Sequence, residues 1–400
     1  MQKIYQTVIV GGGVSGLACA VELLGNESAL LGENVLILER NDRVGKKLIA
    51  TGNGQGNLMN QKFNKEFYHG EKSFVCDFID NAFKVDLESY LNDLGIPLYT
   101  SKDGKKYPLS RQASSVLDVL RANLMEKGCQ IKTDSKVVEI EKKADLFLVK
   151  TQSEQYLSKT VVMATGGCAG KQFGTDGSSY SLAQKFGHRL TPLFPSLVQL
   201  KTETNLIKGL KGIKELARVT AEIDGKEITS ATGDLLFTEY GVSGNTIFQI
   251  SSAFSGRGNE SVKIEFLPEL SFDQVQEILK KREKLSYLKN LEPLNGVIVK
   301  RLGQAVVKTA KSNSSKDVAY ALKNFRLKVT GNTGFNYAQV TKGGISTSDI
   351  NSKTMESKLQ KNFYLIGETV DVDGDCGGYN VTFAFVTGIV CAKAIKNKLK

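Results

Sequence analysis

The sequence predicts an α/β protein in which a doubly wound parallel sheet is built from both ends of the chain. A strand, a glycine turn, a helix and a second strand follow one another within residues 7–39. Two further apolar runs, 160–164 and 363–366, supply more buried strands, the second of them near the C-terminus. Strands and helices in this order are typical of a parallel sheet covered by helices. A β-rich stretch and then a helical stretch are inserted between the two parts.

The first elements follow from the spacing of apolar residues. β-Branched residues at 8–10 indicate a strand, and apolar residues at 17, 20, 21 and 24 recur at helical spacing. The buried run 35–38 is the second strand. Further along, the sequence predicts a glycine- and asparagine-rich loop over 45–60, helices over 74–94 and 114–126, and antiparallel strands that lead into 160–164.

The second half changes its periodicity twice. Apolar residues alternate from about 192 to 268, and Asp224-Gly225 is a favourable hairpin turn. Helical spacing begins after Ser271, the predicted N-cap, and the last helix is predicted over 381–398 with Asn380 as its cap. The predicted domains are the sheet domain (1–190 and 346–400), a β-rich domain (191–270 and 326–345) and a small basic helical domain (271–325).

Composition limits the class of protein. The chain has 400 residues, of which 41% are hydrophobic and 24% charged, as in an ordinary globular protein. No run reaches the roughly 18 apolar residues that a membrane span requires. The most signal-like stretch, 8–24, is interrupted by four glycines and Glu22, so we interpret it as folded structure. We therefore expect a cytoplasmic protein without a membrane partner.

Cysteine and histidine content excludes several chemistries. The six cysteines form no C-x-x-C pair, and the two histidines, His69 and His188, are far apart in the sequence. The sequence therefore offers few residues for a disulfide framework, a structural zinc site or a Ser-His-Asp triad. We predict no metal site.

The net charge of +11 is unevenly distributed. Residues 271–330 contain 13 Lys and Arg against 5 Asp and Glu, a net charge of +8, which leaves +3 for the rest of the chain. Such a concentration indicates either a face that attracts phosphates and other polyanions or a solvated helical surface.

A glycine motif lies between the first strand and the first helix. Gly11 allows the tight turn, Gly13 lets a pyrophosphate approach the backbone, and Gly16 allows close packing of helix and strand. The free N–H groups at the start of the helix, around Val14 and Ser15, attract the anion. Glu39 closes the second strand, where it can bind the hydroxyls of an unphosphorylated ribose. The pattern therefore predicts FAD or NAD.

Later segments favour FAD. The strand that ends at Thr165, Gly166 and Gly167 and the strand that ends at Gly367 and Glu368 reach the same edge of the sheet. A nucleotide-binding fold made from both chain ends, with a large insertion, is the layout of two-dinucleotide flavoproteins. No second G-x-G-x-x-G follows a strand, so a separate nicotinamide domain is not expected. The lack of a C-x-x-C or C-x4-C pair argues against a disulfide reductase.

The chain resembles a bacterial family of three-domain NAD(P)/FAD-dependent oxidoreductases related to aminoacetone oxidase and to a bile-acid 3-oxo-Δ4 reductase. The resemblance covers nearly the whole chain. It is carried by the segments VIVGGGVSGLACA, GKKLIATGNGQGNLMN, ATGG, LLFTEYGVSG, VTKGGIS and FYLIGETVDVDGDCGGYNVTFAF. The family implies a Rossmann-like domain with non-covalent FAD, a β-rich substrate domain, a small helical domain, and NAD(P)H as a transient electron donor.

The resemblance also implies which residues bind the cofactor. Gly11, Gly13, Glu39 and Arg40 correspond to the ADP half, and Lys47 with the loop through Asn57 to the ribityl and flavin side. The complete expected set is Gly11, Gly13, Val14, Ser15, Gly16, Glu39, Arg40, Lys47, Asn53, Asn57, Val138, Thr165, Gly166, Gly167, Gly367, Glu368, Gly377, Gly378, Asn380 and Val381.

The segment 373–380 is expected beside the isoalloxazine ring. Its glycines, Gly374, Gly377 and Gly378, would let the backbone approach the ring. The last helix, starting at Asn380, would direct its N-terminus at the pyrimidine edge and stabilise the negative charge of the reduced flavin. Three segments depart from the family pattern, 54–57, 175–180 and 237–245, which leaves the substrate open.

Catalytic residues are harder to name because the flavin itself performs the hydride or electron transfer. Glu239 stands where the family has a histidine, and Tyr240 follows it; either can orient the substrate or exchange a proton, or both are ordinary strand-end residues. We expect His188 on the surface after a helix. Cys376 is expected to be a small buried side chain rather than a redox thiol.

Several functions are open at this point. The leading one is a flavoenzyme with a small organic substrate, either an amine or amino ketone oxidised with O2 or an enone reduced at the expense of a nicotinamide. The second is a flavoprotein that modifies or senses nucleic acid through its basic helices, although Tyr287 is nearly the only aromatic residue there. The third is a redox-responsive binding protein with little turnover.

Overall fold

A computed structural model describes residues 2–25, 32–254, 256 and 258–399. Its contacts divide the chain into two compact units. The first, which we call the sheet unit, comprises Met1–Phe194 and Val340–Lys400. The second, which we call the barrel unit, comprises Pro195–Gln339.

The helices and strands are numbered in chain order. The helices are α1 (Val14–Leu23), α2 (Lys46–Ile49), α3 (Lys72–Val85), α4 (Leu87–Asp93), α5 (Ala113–Glu126), α6 (Tyr180–Gln184), α7 (Asn245–Ile250), α8 (Phe272–Glu283), α9 (Lys300–Val307), α10 (Ser315–Lys323) and α11 (Tyr379–Leu399). The strands are β1 (Ile4–Val10), β2 (Val35–Leu38), β3 (Met59–Asn60), β4 (Tyr68–Gly70), β5 (Leu98–Thr100), β6 (Lys105–Pro108), β7 (Gln130–Lys132), β8 (Val137–Lys143), β9 (Leu146–Thr151), β10 (Gln155–Met163), β11 (Phe194–Ser196), β12 (Leu200–Thr202), β13 (Lys214–Ile223), β14 (Lys226–Phe237), β15 (Gly241–Ser243), β16 (Glu260–Phe266), β17 (Phe325–Asn332), β18 (Val340–Lys342), β19 (Phe363–Leu365) and β20 (Val372–Gly374).

The main sheet of the sheet unit has the strand order β7-β2-β1-β10-β9-β8, and β19 also pairs with β10. The pairs β7-β2, β2-β1, β1-β10 and β10-β19 are parallel, whereas β9 and β8 continue the sheet antiparallel. Val161 on β10 is opposite both Val8 on β1 and Phe363 on β19. Strands from both chain ends therefore share one parallel sheet, which confirms the predicted α/β Rossmann-like fold.

Helix α11 packs on α1. A Cβ on Gly388 of α11 would lie 2.5 Å from the Ser15 carbonyl oxygen, so the absence of a side chain allows the two helices to approach closely. Lys396 and Glu22 join the helices by an ion pair of 2.5 Å. The last helix begins at Tyr379, so the prediction of Asn380 as its cap was wrong. Asn380 lies inside the first turn, and its side chain hydrogen-bonds to the backbone N and O of Gly374.

The helix predicted over 74–94 consists of two helices. The chain turns at Asp86, whose φ of +45° is incompatible with a continuous right-handed helix. Asp86 then caps α4 by accepting hydrogen bonds from the Ser89 N–H and hydroxyl groups. An aspartate side chain favours a helix cap over a helix interior, which explains why the helix is interrupted at Asp86.

The barrel unit is built around a closed barrel with the strand order β12-β15-β14-β13-β16-β17. The predicted turn Asp224-Gly225 joins β13 to β14, and Ser271 caps α8 in a capping box with Gln274. Helices α8, α9 and α10 contribute to the same hydrophobic core as the barrel strands. The segment predicted as a separate helical domain is therefore grouped with the barrel.

Candidate active site

The glycine motif forms an open cradle between β1 and α1. Gly11 has a φ of +110°, and a Cβ there would lie 2.3 Å from the Ala164 carbonyl oxygen. A Cβ on Gly16 would lie 2.1 Å from the Gly11 oxygen. At Gly13, the N-cap of α1, nothing among the described residues lies within 4 Å of such a Cβ. The outer glycines allow close packing, while the middle one, next to Val14, faces free space at the start of the helix.

The acidic residue after β2 is held rigidly. Glu39 is 7% exposed, and its carboxylate accepts hydrogen bonds from the backbone N–H groups of Gly12 and Asn41, each at 2.8 Å, and from the Asn41 side-chain amide at 2.7 Å. Because a carboxylate has about four lone-pair sites, it retains acceptor capacity for another hydroxyl.

Arg40 and Val138 lie near the end of β2, where Glu39 is held. The Arg40 guanidinium forms a two-pronged ion pair with Asp176 at 2.6 and 3.0 Å, and this contact holds the pKa of the Asp176 carboxyl well below its usual range. The Ser135 N–H donates to the Glu39 carbonyl oxygen, so the chain entering β8 runs beside Glu39. Val138 follows at a bulge of β8 with its side chain 47% exposed.

Thr341 ties the turn after β10 to β18. Its hydroxyl oxygen accepts hydrogen bonds from the N–H groups of Cys168 at 2.8 Å and Ala169 at 2.9 Å. A Cβ on Gly167 would lie 2.4 Å from this oxygen. Thr165, in the same turn, has its hydroxyl 3.4 Å from that of Thr369. Gly166 adopts a φ of +70° there.

Glu368 joins three of the predicted loops. One carboxylate oxygen accepts from the Lys47 ammonium at 2.5 Å, and the other accepts from the Thr341 N–H at 2.8 Å. The neighbouring Gly367 has a φ of +62°, and a Cβ there would lie 2.6 Å from the Ser15 hydroxyl at the start of α1. The turns after β1, β10 and β19 and the loop that carries Lys47 therefore converge at the carboxyl edge of the parallel strands.

The loop that ends at β3 meets the segment that precedes α11. With its amide oriented to satisfy both atoms, Asn57 accepts from the Gly378 N–H at 3.2 Å and donates to the Met59 carbonyl at 3.0 Å. Asn60 donates to the Gly377 carbonyl at 3.1 Å. Asn53, earlier in the loop, is exposed and has a φ of +55°.

These contacts give a different reason for the C-terminal glycines. A Cβ on Gly378, where φ is +100°, would lie 2.6 Å from the Met59 carbonyl oxygen. A Cβ on Gly374 would lie 2.8 Å from the Cβ of Tyr379. Close approach of protein groups therefore already requires glycine at both positions. Val381 follows, half-buried, in the first turn of α11.

The structure adds a pair that the sequence analysis missed. His69 Nε2 lies 2.7 Å from a carboxylate oxygen of Asp375, although the two residues are 306 positions apart in the sequence. The hydrogen bond with Asp375 is the main cause that raises the pKa of His69, with a further contribution from Asp373. No local motif marks this pair; only the pairing of β4 with β20 brings it together.

The remaining histidine and cysteine predictions have different outcomes. His188 is buried at 3% exposure, so its predicted surface position was wrong. Its Nε2 hydrogen-bonds to the Ser357 hydroxyl at 2.9 Å, and burial lowers its pKa, which favours neutral imidazole. Burial raises the pKa of the half-buried Cys376 thiol, which disfavours the reactive thiolate.

Glu239 and Tyr240 occupy the turn between β14 and β15 in the barrel unit. Glu239 forms an ion pair with Lys211 at 2.5 Å, and both side chains are about two-thirds exposed. The Tyr240 hydroxyl donates to the side-chain oxygen of Gln199, and burial raises the pKa of this hydroxyl. These contacts stabilise the turn and leave the predicted catalytic role open.

Comparison with known proteins identifies the family. The profile of the HI0933-like protein Rossmann domain matches residues 5–394. The chain is 33% identical to the 3-dehydro-bile acid delta(4,6)-reductase of Clostridium scindens, over 96% of this chain and 98% of that protein. It is 27% identical to the ribosomal RNA dihydrouridine synthase of Haemophilus influenzae over the full length of both. The crystal structure of a 3-ketosteroid-delta4-(5alpha)-dehydrogenase from Rhodococcus jostii RHA1 shares the fold, with a TM-score of 0.53 and 14% identity over 98% of this chain and 97% of that one.

The chain therefore belongs to the HI0933-like Rossmann-domain family. Its class is that of the FAD-dependent oxidoreductases, and the predicted family, fold and enzyme class are confirmed. Within the described residues, no helix is long and apolar enough to cross a membrane. The same residues contain no cluster of His, Cys, Asp or Glu that could hold a metal ion.

The Thr341 hydroxyl can be tested by an isosteric substitution. We expect Thr341→Val to destabilise the protein by about 1–3 kcal/mol, because it leaves the buried N–H groups of Cys168 and Ala169 without an acceptor. Denaturant unfolding measures this loss. Thr341→Ser, which keeps the hydroxyl and removes only a methyl group, is the matched control and should lose less stability. Equal losses would contradict the assigned role.

Proposed function

We propose that the protein is an FAD-dependent reductase of carbon–carbon double bonds conjugated to a carbonyl group, with NADH or NADPH as the electron donor. The observation that carries this proposal is the full-length similarity, at 33% identity, to a reductase of 3-dehydro-bile acids. The second curated relative, a dihydrouridine synthase by name, also saturates a double bond conjugated to a carbonyl, that of uracil. This shared chemistry favours double-bond reduction over the oxidation of an amine or amino ketone.

The sheet unit has the groups that the ADP half of FAD requires. The pyrophosphate would lie at the open N-terminus of α1, near Gly13 and Ser15, where backbone N–H groups and the helix dipole favour an anion. Glu39 would accept a hydrogen bond from one ribose hydroxyl with its remaining lone pair. Arg40 and Val138 would contact the adenosine end.

The converging loops would hold the rest of the cofactor. Lys47 and Glu368, which bind each other, would line the ribityl chain. The loop that contains Asn53 and Asn57 would flank the ring, and the N–H groups around Asn380 would face its pyrimidine edge. When bound, FAD supplies hydride transfer, so the protein contributes orientation and electrostatic stabilisation.

Glu239 and Tyr240 would act on the substrate rather than on the cofactor. The Glu239 carboxylate has lone pairs beyond its contact with Lys211, and the Tyr240 hydroxyl oxygen, whose proton is donated to Gln199, can still accept. Together they can orient a group that donates hydrogen bonds. Their exposure leaves both accessible to a substrate. A role in positioning predicts a raised KM without loss of bound FAD when either residue is replaced.

The assignment of Glu39 is tested by Glu39→Gln. We expect the affinity for FAD to fall about tenfold or more, because a charge-assisted hydrogen bond is worth about 1.5–3 kcal/mol. Titration of apoprotein with FAD, followed by flavin fluorescence, measures the affinity. Glu33→Gln is the matched control and should bind FAD like the wild type, because Glu33 is exposed and, among the described residues, pairs only with Lys3 at 4.0 Å. A Glu39→Gln variant with unchanged affinity would refute the assignment.

The reaction is tested under anaerobic conditions. We expect NADH or NADPH to bleach the bound flavin in a stopped-flow experiment. Mixing the reduced protein with 4-androstene-3,17-dione or a 3-oxo-Δ4 bile acid should restore the oxidised spectrum, because the enone removes the electrons. A panel of amines mixed with the oxidised protein tests the alternative reaction, amine oxidation. Bleaching by an amine, with no reoxidation by any enone, would replace the proposal with amine oxidation.

A second candidate substrate is a uracil base in RNA. In the barrel unit, Lys280, Lys284, Lys300, Arg301 and Lys308 are exposed and form no ion pair within 4.0 Å among the described residues. The barrel unit also has exposed aromatic rings: Tyr287 is 74% exposed, and Tyr320, on α10, is 56% exposed. A unit that exposes both cations and aromatic rings would suit a polyanion that carries stackable bases.

Charge-removing variants distinguish the two candidates. Arg301 lies in the first turn of α9, and Lys308 caps the C-terminal end of the same helix in a helical conformation. The two residues are seven positions apart and therefore lie on one face. If RNA is the substrate, Arg301→Gln with Lys308→Gln should weaken binding of ribosomal RNA and reduce its salt dependence by about 0.7 per lost phosphate contact. Lys353→Gln with Lys361→Gln, at exposed lysines of the sheet unit, is the control. Equal RNA binding by both double variants would exclude this face of α9 as an RNA-binding surface.

A further inference from the structure

The short strand β4 places His69 beside the segment that leads into α11. Strands β4 and β20 pair antiparallel, with His69 opposite Asp373 and Tyr68 opposite Gly374. Asp375 follows directly, and its N–H donates to the Phe67 carbonyl at 2.9 Å. The Phe67 ring stacks on Tyr379, the first residue of α11, with 4.7 Å between ring centroids. Backbone pairing and ring stacking together fix this corner.

The His69–Asp375 contact defines which imidazole nitrogen can exchange a proton. Nε2 faces the carboxylate at 2.7 Å, and an ionised carboxylate only accepts hydrogen bonds, so Nε2 carries a hydrogen and donates. Nδ1 is then the nitrogen that gains and loses the second proton. It has no hydrogen-bond partner among the described residues, and the His69 side chain is 42% exposed. The ring can therefore take up a proton from water and pass it on.

The charges around His69 favour its protonated form. The hydrogen bond with Asp375 and the charges of Asp373 and Asp375 raise the pKa of His69, whereas burial and the charge of Lys342, at the end of β18, lower it. The pKa is raised overall. A larger fraction of imidazolium is thus present near neutral pH than for an ordinary histidine.

We propose that His69, positioned by Asp375, is the proton donor in double-bond reduction by this enzyme. The inference rests on the proposed function, which puts the ring of the cofactor beside Gly377 and Asn380. Those residues are close to the dyad in the chain, because Gly377 follows Asp375 by two positions and Asn380 bonds to Gly374. A histidine that is hydrogen-bonded to a carboxylate is a common arrangement for general acid–base catalysis.

In this step one hydride and one proton add across the double bond of the substrate. The β-carbon of the substrate would gain a hydride, and bound reduced FAD would supply it as the two-electron reductant. The π bond breaks, and the α-carbon gains the proton from Nδ1 of His69, whose N–H bond breaks. Asp375 keeps its hydrogen bond to Nε2–H throughout, and the neutral imidazole regains its proton from water. The substrate is reduced by two electrons and two hydrogens in total.

This role predicts the pH dependence of turnover. Because the imidazolium form is required, the rate of enone reduction should fall as the pH rises through the pKa of His69. Asp375→Asn removes the main cause that raises this pKa, so the falling limb should move to lower pH. His69→Gln should remove the limb and lower turnover by about 10²–10⁴-fold, the usual contribution of a general acid. Both residues are partly exposed, so the variants should fold.

The decisive experiment follows His69 by NMR in the FAD-loaded protein, and it does not depend on the identity of the substrate. The protein has only two histidines, so His69→Gln assigns the signal, and buried His188 is an internal control. We expect the pKa of His69 to rise when the flavin is reduced with dithionite, because negative charge then develops beside the imidazolium. The His188 signal should not change. A His69 pKa that is the same in both redox states would overturn the inference.

The kinetic test distinguishes this inference from the proposed function. Prereduced wild-type and variant proteins are mixed with 4-androstene-3,17-dione at several pH values. If His69→Gln binds FAD normally and reduces the enone at the wild-type rate with the same pH limb, His69 is not the donor, although the proposed function stands. If the wild-type protein binds no FAD, the proposed function fails and the inference fails with it.

Discussion

The pairing of β10 with strands from both chain ends is the constraint on which the rest of the structure depends. β10 bonds to β1 on one side and, through its last residues, to β19 on the other, all in parallel. Parallel strands end at the same edge of a sheet, so the glycine turn after β1 and the turn at Gly367 and Glu368 emerge together. Residues that are more than 300 positions apart in the sequence thus meet at one edge of the sheet.

Polar contacts then fix the loops at that edge. Glu368 satisfies both carboxylate oxygens, one with Lys47 and one with the Thr341 N–H, and Thr341 in turn satisfies two N–H groups of the turn after β10. Buried polar groups that are fully paired in this way hold a unique loop conformation, whereas unpaired ones would be costly. The site is preorganised by the protein itself, which suits a role in orienting a cofactor that performs the chemistry.

The sequence predicted what local patterns determine. The strand, glycine turn, helix and acid at Glu39 lie within about 30 residues, and each has a steric or electrostatic reason visible in the sequence. The His69–Asp375 pair and the burial of His188 depend on tertiary pairing, so no local pattern could reveal them. Likewise, the helices of residues 271–325 have ordinary amphipathic spacing, which does not specify that the barrel strands supply the other half of their core. Asparagine is a residue type that often caps helices, but the Asn380 side chain hydrogen-bonds to the backbone of Gly374 in the preceding loop instead.

The most direct test of this account is the absorbance spectrum and flavin content of the purified protein, before and after incubation with FAD. The account predicts absorption in the blue and one FAD per chain, released intact when the protein is denatured, because the two chain ends together form a non-covalent site. A correctly folded protein that remains colourless and takes up no FAD would contradict the central claim.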